Sequence, residues 1–221
     1  MTILIEAAVE SLAAACAAAQ GGADRIELCT DLAHGGTTPD VQLIRDALAQ
    51  LTIPVFVLVR PRAGDFVYSA AEHGAMLEQI AAAKQAGAAG VVTGALRAQQ
   101  DIDEVRTAEL ISAARPLPVT FHRAFDECRH LPTALEMLIE LGVNRVLTSG
   151  GAKTAAEGVE EIRELVRQAK GRIQILPGGG VDQENVARIV QRTGVSEVHF
   201  SVRDADKVRR VTRALSRALS N

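Results

Sequence analysis

GADRIEL, residues 22–28, has the form of a helix end running into a strand. A glycine placed just past the last helical residue takes the left-handed conformation that stops a helix. A small residue and two spacers follow it, and then an apolar run. The same form recurs as GAAGVVT (87–93), GVNRVLT (142–148) and GVSEVHF (194–200). Four further apolar runs alternate with these copies: LIEAAV (4–9), PVFVLVR (54–60), PVTFHR (118–123) and IQILP (173–177). The stretches between runs repeat with helical period. Val41, Ile44, Leu48 and Leu51 share one face, as do Val159, Ile162, Val166 and Ala169, and also Val208, Val211, Leu215 and Leu219. Eight strand–helix units of about 25–35 residues, with a two-unit quasi-repeat, predict an α/β fold of the (β/α)8 TIM-barrel type. A doubly wound open sheet is the alternative, but it requires neither eight evenly spaced units nor an apolar helix after the last strand. No linker composition interrupts the pattern, so residues 1–221 read as a single domain.

Apolar residues make up 48% of the chain and aromatics 3%, with no Trp, so the expected core is Ala, Val, Ile and Leu in thin layers. A net charge of −3 and the lack of a basic block argue against a nucleic-acid partner. Cys16, Cys29 and Cys128 are widely spaced and form no C-x-x-C pair, which fits a reduced, cytoplasmic chain. LAAAC (12–16) has a loose lipoprotein-like form, but Glu6 and Glu10 precede it and no Lys or Arg does, which argues against a signal peptide. No run approaches the roughly 18 apolar residues of a membrane span.

In such barrels the C-terminal strand ends carry the chemistry. Here they offer Glu6 on the first strand, Glu27 and Cys29 on one face of the second, and Arg60, Arg62 and Asp65 after the third. The fifth gives His122, Arg123 and Asp126, and the sixth Thr148 and Ser149. The seventh runs into Gly178, Gly179 and Gly180, and the eighth gives His199 and Ser201. Three subsites are expected. Arg60, Arg62 and Arg123 form a cationic wall suited to carboxylate or phosphate; the competing possibility is that they pair with Glu6, Glu27 and Asp65. The glycine turns at 149–152 and 178–181 can point backbone N–H groups at an anion, with Asp182 as a candidate N-cap. Cys29, His122 and His199 could supply metal ligands or a nucleophile with its base, although no local metal-ligand spacing is present. His34 is placed to reach over the mouth, Cys128 could approach it, and His73 and His130 read as helix-surface residues.

GADRIELC (22–29), GGTTPD (35–40), VRPRAGDFVYS (59–69), VTFHRAFDE (119–127), RVLTSGG (145–151), GGGV (178–181) and EVHFS (197–201) together resemble the CutC family, the proteins named for copper homeostasis. The resemblance implies a cytosolic (β/α)8 barrel, often a homo-oligomer such as a dimer or tetramer, that binds copper(I). Cys29 matches the cysteine of the family's ELC motif and is the copper ligand the resemblance implies. One segment departs: GALRAQQDID (94–103) stands where the family reads GALTxDGxID, so a glycine is missing at Gln100.

Two functions follow as expectations. The first is copper homeostasis, with Cys29 as principal Cu(I) ligand. The second is a lyase- or isomerase-type enzyme acting on a small phosphorylated or carboxylated metabolite. There Arg60, Arg62, Arg123, Asp65, Glu6, Thr148, Ser149, Ser201 and the 178–180 amides hold the ligand, while Glu27, His122, Asp126 and His199 carry acid–base catalysis.

Overall fold

The computed structural model describes residues 3–202 and 205–219, with the Leu219 side chain outside the description. The elements alternate without exception. They run β1 (Leu4–Val9), α1 (Leu12–Gln20), β2 (Arg25–Leu28), α2 (Val41–Gln50), β3 (Val55–Leu58), α3 (Ala70–Ala86), β4 (Gly90–Thr93) and α4 (Glu104–Ala114). Then come β5 (Val119–Phe121), α5 (Leu131–Leu141), β6 (Arg145–Thr148), α6 (Val159–Ala169), β7 (Gln174–Pro177), α7 (Val186–Thr193), β8 (Glu197–Ser201) and α8 (Ala205–Leu219). All ladders are parallel, in the order β7-β6-β5-β4-β3-β2-β1-β8. β7 and β8 lie against each other without a ladder, so the sheet forms a nearly closed (β/α)8 barrel.

The repeat forms because its glycines adopt left-handed backbone. Gly22, Gly87, Gly142 and Gly194 have φ of 95°, 98°, 82° and 74°, conformations in which a side chain is strained. Each strand then opens on the fourth residue of the repeat: Arg25, Gly90, Arg145 and Glu197. These positions, which look like spacers in sequence, are the first inward-facing layer of the barrel. Phe56 fills the centre between two cations, with the Arg25 and Arg145 guanidinium carbons 5.0 and 5.4 Å from its ring centroid. Gly90 makes room for that ring, since a Cβ there would stand 2.5 Å from it. Two residues further along, Glu27, Val92, Leu147 and His199 form the equivalent layer from the same alternate strands. The helices cover the outside with Ile, Leu, Val and Ala, as the composition predicts; Leu135, Leu138, Ile162 and Leu165 are all buried.

Asp182 does not cap α7 directly. Its carboxylate accepts from the N–H groups of Glu184 and Asn185, capping a turn that precedes the helix at Val186. His73 is not a surface residue: it is buried between α3 and α4, with Nε2 2.6 Å from Glu109 Oε2. His130 is exposed at the N-cap of α5.

At the departure from the family pattern, the loop keeps a left-handed residue although the glycine is gone. Gln100 has φ 61° and closes the turn through its N–H to the Arg97 carbonyl, 2.9 Å away. Left-handed backbone costs a residue with a Cβ on the order of 1 kcal/mol. Gln100→Gly is therefore expected to raise unfolding stability by about 0.5–1 kcal/mol, read as a higher urea midpoint with an unchanged slope.

Candidate functional site

A cavity of about 590 Å³ opens at the C-terminal end of the barrel. Its floor is Glu27 and His199 from the even-strand layer, and His122, just past the end of β5, joins them in the lining. Beneath them lies a closed network of charge. Arg25 pairs with Glu6 and, at 2.5 Å, with Glu197; Arg145 pairs with Glu197 at 2.7 Å and donates to Thr120 Oγ1. Glu6 turns its other oxygen to His199 Nδ1, 2.8 Å away. Burial would raise the Glu6 pKa, but the His199 hydrogen bond and the charges of His199 and Arg25 outweigh it and hold the carboxyl at about 2. Burial alone would lower His199; the Glu27 charge and the Glu6 hydrogen bond overturn that and raise its pKa.

Glu27 has no such partner. Its Oε2 is buried and unbonded, and burial, with the nearby Glu6 charge, pushes its pKa up to about 7 against the opposing charges of His199 and Arg25. A carboxyl poised there exchanges protons readily at neutral pH. Between about pH 4.5 and 7 the folded chain holds a proton on Glu27 that the unfolded chain has released. Stability contributed by that carboxyl therefore falls as the pH rises through this window.

Arg60 is buried on the cavity wall. It donates to the carbonyls of His34 (3.0 Å), Gly36 (2.8 Å) and Gly64 (2.7 Å) and lies over the Phe66 ring, 4.8 Å from its centroid. No carboxylate stands within ion-pair distance of it among the described residues. Arg123 lies across the mouth, with Nε 2.8 Å from Asp126 Oδ2 and Nη2 2.7 Å from Ser149 Oγ. A Cβ on Gly179 would come within 3.0 Å of Arg123 Nη1, and Gly179 itself has φ 92°. The N–H groups of Gly179 and Gly180 have no partner among the described residues, and both glycines line the cavity.

The turn after β6 also gathers its N–H groups on an anion, but that anion is Asp126. The carboxylate accepts from Thr148 Oγ1 (2.5 Å), Ser149 N and Oγ (3.0 Å each), Gly151 N (3.1 Å) and Arg123 Nε. Asp126, Thr148 and Ser149 thus hold Arg123 and the turn in place, and the Asp126 carboxylate is fully engaged in that work rather than free for proton transfer. Arg62 and Asp65 are not brought to the mouth. β3 ends at Leu58, and Arg62 turns onto Asp65 (2.9 Å), Glu72 (2.5 Å) and the Tyr68 ring. Gly178 packs against Leu147 and His199, while Ser201 lines the mouth and is exposed. The His34 side chain is exposed and bonded to Asp31. Lys207 of α8 was not singled out in the sequence; it reaches the mouth, donating to the Ser201 carbonyl at 2.9 Å. Its place in an amphipathic helix gives no signal of this, whereas Phe66, one residue after Asp65, could have been read as the apolar platform of the arginine segment.

The three thiols do not gather. Cys29 is buried among Phe56, Leu58 and Val92 inside the barrel, donates to the Val9 carbonyl, and does not line the cavity. Burial, reinforced by the charges of Glu27 and Glu10, pushes its pKa well above the usual thiol range, away from the thiolate that binds metal. Cys16 lies on α1 facing Gln50, and Cys128 is packed in the outer core against the Ala124 carbonyl. Among the described residues, Glu6, Glu27 and His199 bring ligand atoms within 4.8 Å of one another. Two carboxylates and an imidazole beside Arg25 are not the soft donor set that selects Cu(I).

A family model described as the CutC family matches residues 3–204. The chain belongs to the CutC family. Relatives agree with that assignment. A family protein CutC from Glaesserella parasuis is 49% identical over 199 residues, covering 90% of this chain and 82% of that one. The human copper homeostasis protein cutC homolog is 48% identical over 200 residues, covering 90% and 73%. The crystal structure of CutC from Streptococcus agalactiae superposes with a TM-score of 0.86 at 36% identity, covering 90% of this chain and 98% of that one. No helix of the described residues is long and apolar enough to cross a membrane.

Replacing Glu27 by Gln removes the titrating carboxyl while keeping its shape. The variant is expected to match the wild type in stability near pH 5 and to exceed it by up to about 3 kcal/mol near pH 8, measured as urea midpoints at both values.

Proposed function

We propose that this CutC family chain binds a small anionic metabolite, phosphorylated or carboxylated, at the barrel mouth and performs acid–base chemistry of lyase or isomerase type on it. The observation that carries this reading is Arg60. A buried guanidinium without a carboxylate is costly, and an anionic ligand is the group that offsets it. Arg123 and the free N–H groups of Gly179 and Gly180 stand on the same cavity. Glu27 and His199 supply the proton chemistry on the floor, with Glu6 orienting His199.

The names of the human and mouse relatives support a role in copper homeostasis. Copper is then cargo or signal. A Cu(I) site at Cys29 would require a buried thiol, whose pKa burial raises, to ionise. A cytosolic placement belongs to the same proposal and is supported by three free thiols. A homo-oligomer, dimer or tetramer, is supported by the family resemblance and is read by light scattering.

Calorimetry with inorganic phosphate and small phosphorylated and carboxylated compounds tests the anion reading. Arg123→Ala is expected to weaken binding by about 10- to 100-fold, as loss of a charge-assisted hydrogen bond does, while Arg62→Ala leaves it unchanged. Equal affinity in wild type and Arg123→Ala would set the reading aside. For copper, an anaerobic Cu(I) titration against a competing chelator is run beside Cys29→Ser. Stoichiometric binding lost in the variant makes Cys29 the anchor, and indifference to the substitution removes it.

A further inference from the structure

The hydrogen bond from Ala124 N–H to His122 Nδ1, 3.2 Å long, decides what His122 can do. A ring nitrogen that accepts an N–H carries no proton of its own, so the single proton of the neutral imidazole is on Nε2. That tautomer is built into the backbone: His122 is the N-cap of the short 3-10 helix Arg123–Glu127, and its ring caps the Ala124 amide. Burial, aided by the Arg60 charge, lowers the His122 pKa to about 3, so the ring stays neutral. Its orientation is fixed as well. The Phe66 and Phe121 rings lie 4.8 and 5.9 Å away, and Gly94 leaves only enough room for the ring, since a Cβ there would stand 2.8 Å from it. The Nε2–H is buried without a partner on a residue that lines the cavity. His122 therefore offers a hydrogen-bond donor, Nε2–H, and not a base.

Two further buried, unpartnered atoms belong to residues lining this cavity: Glu27 Oε2, an acceptor, and Arg60 Nε, a donor. A neutral donor and a carboxylate on residues lining one cavity, beside Arg60, which has no ion-pair partner among the described residues, match a carbonyl oxygen and the acidic C–H next to it. Resting on the reading of the mouth as an anion-binding acid–base site, we propose that the substrate is a small carbonyl compound bearing a phosphate or carboxylate, and that the chemistry passes through its enolate. The Glu27 carboxylate takes the proton from the carbon adjacent to the carbonyl. The C–H electron pair becomes the C=C bond, and the carbonyl π pair moves to oxygen. His122 Nε2–H hydrogen-bonds that oxygen and keeps its own proton, and the Arg60 charge stabilises the negative charge that develops. Glu27 then returns the proton to carbon, so the sequence is redox-neutral and needs no co-reactant.

Two measurements test this. Nitrogen-15 NMR of His122 is expected to show Nδ1 unprotonated and Nε2 protonated, without titration from about pH 5 to about pH 9. The opposite tautomer, or titration within that range, overturns the proposal. Proton NMR in D2O then follows loss of the α-hydrogen signal of glycolaldehyde phosphate and of pyruvate, the phosphate and carboxylate arms. Exchange well above the uncatalysed rate is expected in at least one arm. Glu27→Gln should abolish it, and His122→Ala should slow it about 100-fold, whereas His122→Gln, which keeps a neutral donor, should restore part of the rate. Absence of exchange in both arms, with Arg123-dependent phosphate binding intact, sinks the enolate chemistry and leaves the anion site standing. Absence of both sinks the two together.

Discussion

The ionic layer at the bottom of the barrel is the constraint from which the site follows. Arg25 and Arg145 stand on either side of Phe56, and Glu6 and Glu197 bind them from β1 and β8. Burying four full charges is tolerable only when each has its partners and hydrogen bonds in place. That requirement acts on register. A one-residue slip of any of these strands would turn a charged side chain outward into the aliphatic layer under the helices. Pairing across β1, β2, β6 and β8 thus ties distant segments of the chain, and Glu6 hands the arrangement upward to His199 on the cavity floor.

The same layer explains why Glu27 and His199 differ although they share a level. His199 is buried beside the Glu27 charge and bonded to Glu6, which together outweigh desolvation, so its protonated form is favoured. Glu27 is buried with an unbonded oxygen, near the Glu6 charge, so its protonated form is favoured up to neutral pH. Both environments favour the protonated form, which on one level of the barrel is a cation at His199 and a neutral acid at Glu27.

The fold was legible because its punctuation is chemical. Only glycine sits easily in the left-handed stop at Gly22, Gly87, Gly142 and Gly194, so the repeat marks the strands directly. The ring of polar strand ends was legible for the same reason, since alternation places Glu27, His122 and His199 on inward faces once the strands are known. What local sequence could not show was which groups satisfy one another. Arg25, Arg145 and Glu197 look like spacers until the barrel closes around Phe56. Arg60 and Arg62 look equivalent, yet Arg60 lines the cavity while Arg62 meets Glu72 from α3. The glycine turn after β6 looks open to a ligand, yet its amides are filled by Asp126 from the preceding strand's loop. His122 looks like a base until the Ala124 amide fixes its tautomer.

Cys29 shows how one strand can be read toward either function. Glu27 and Cys29 are two residues apart and share the inward face, but they sit in different surroundings. Glu27 opens on the cavity; Cys29 is roofed by the Gly36 segment, which the Arg60 guanidinium fastens from above through the Gly36 carbonyl. The residue that supplies the mouth with its unpaired positive charge is thus the one that closes the thiol beneath it. Releasing Cys29 toward a metal would mean withdrawing a hydrogen bond from a buried guanidinium, whereas bringing an anion to Arg60 adds to the bonds it already makes. The anion proposed at Arg60 is thus compatible with Cys29 remaining buried and bonded to the Val9 carbonyl.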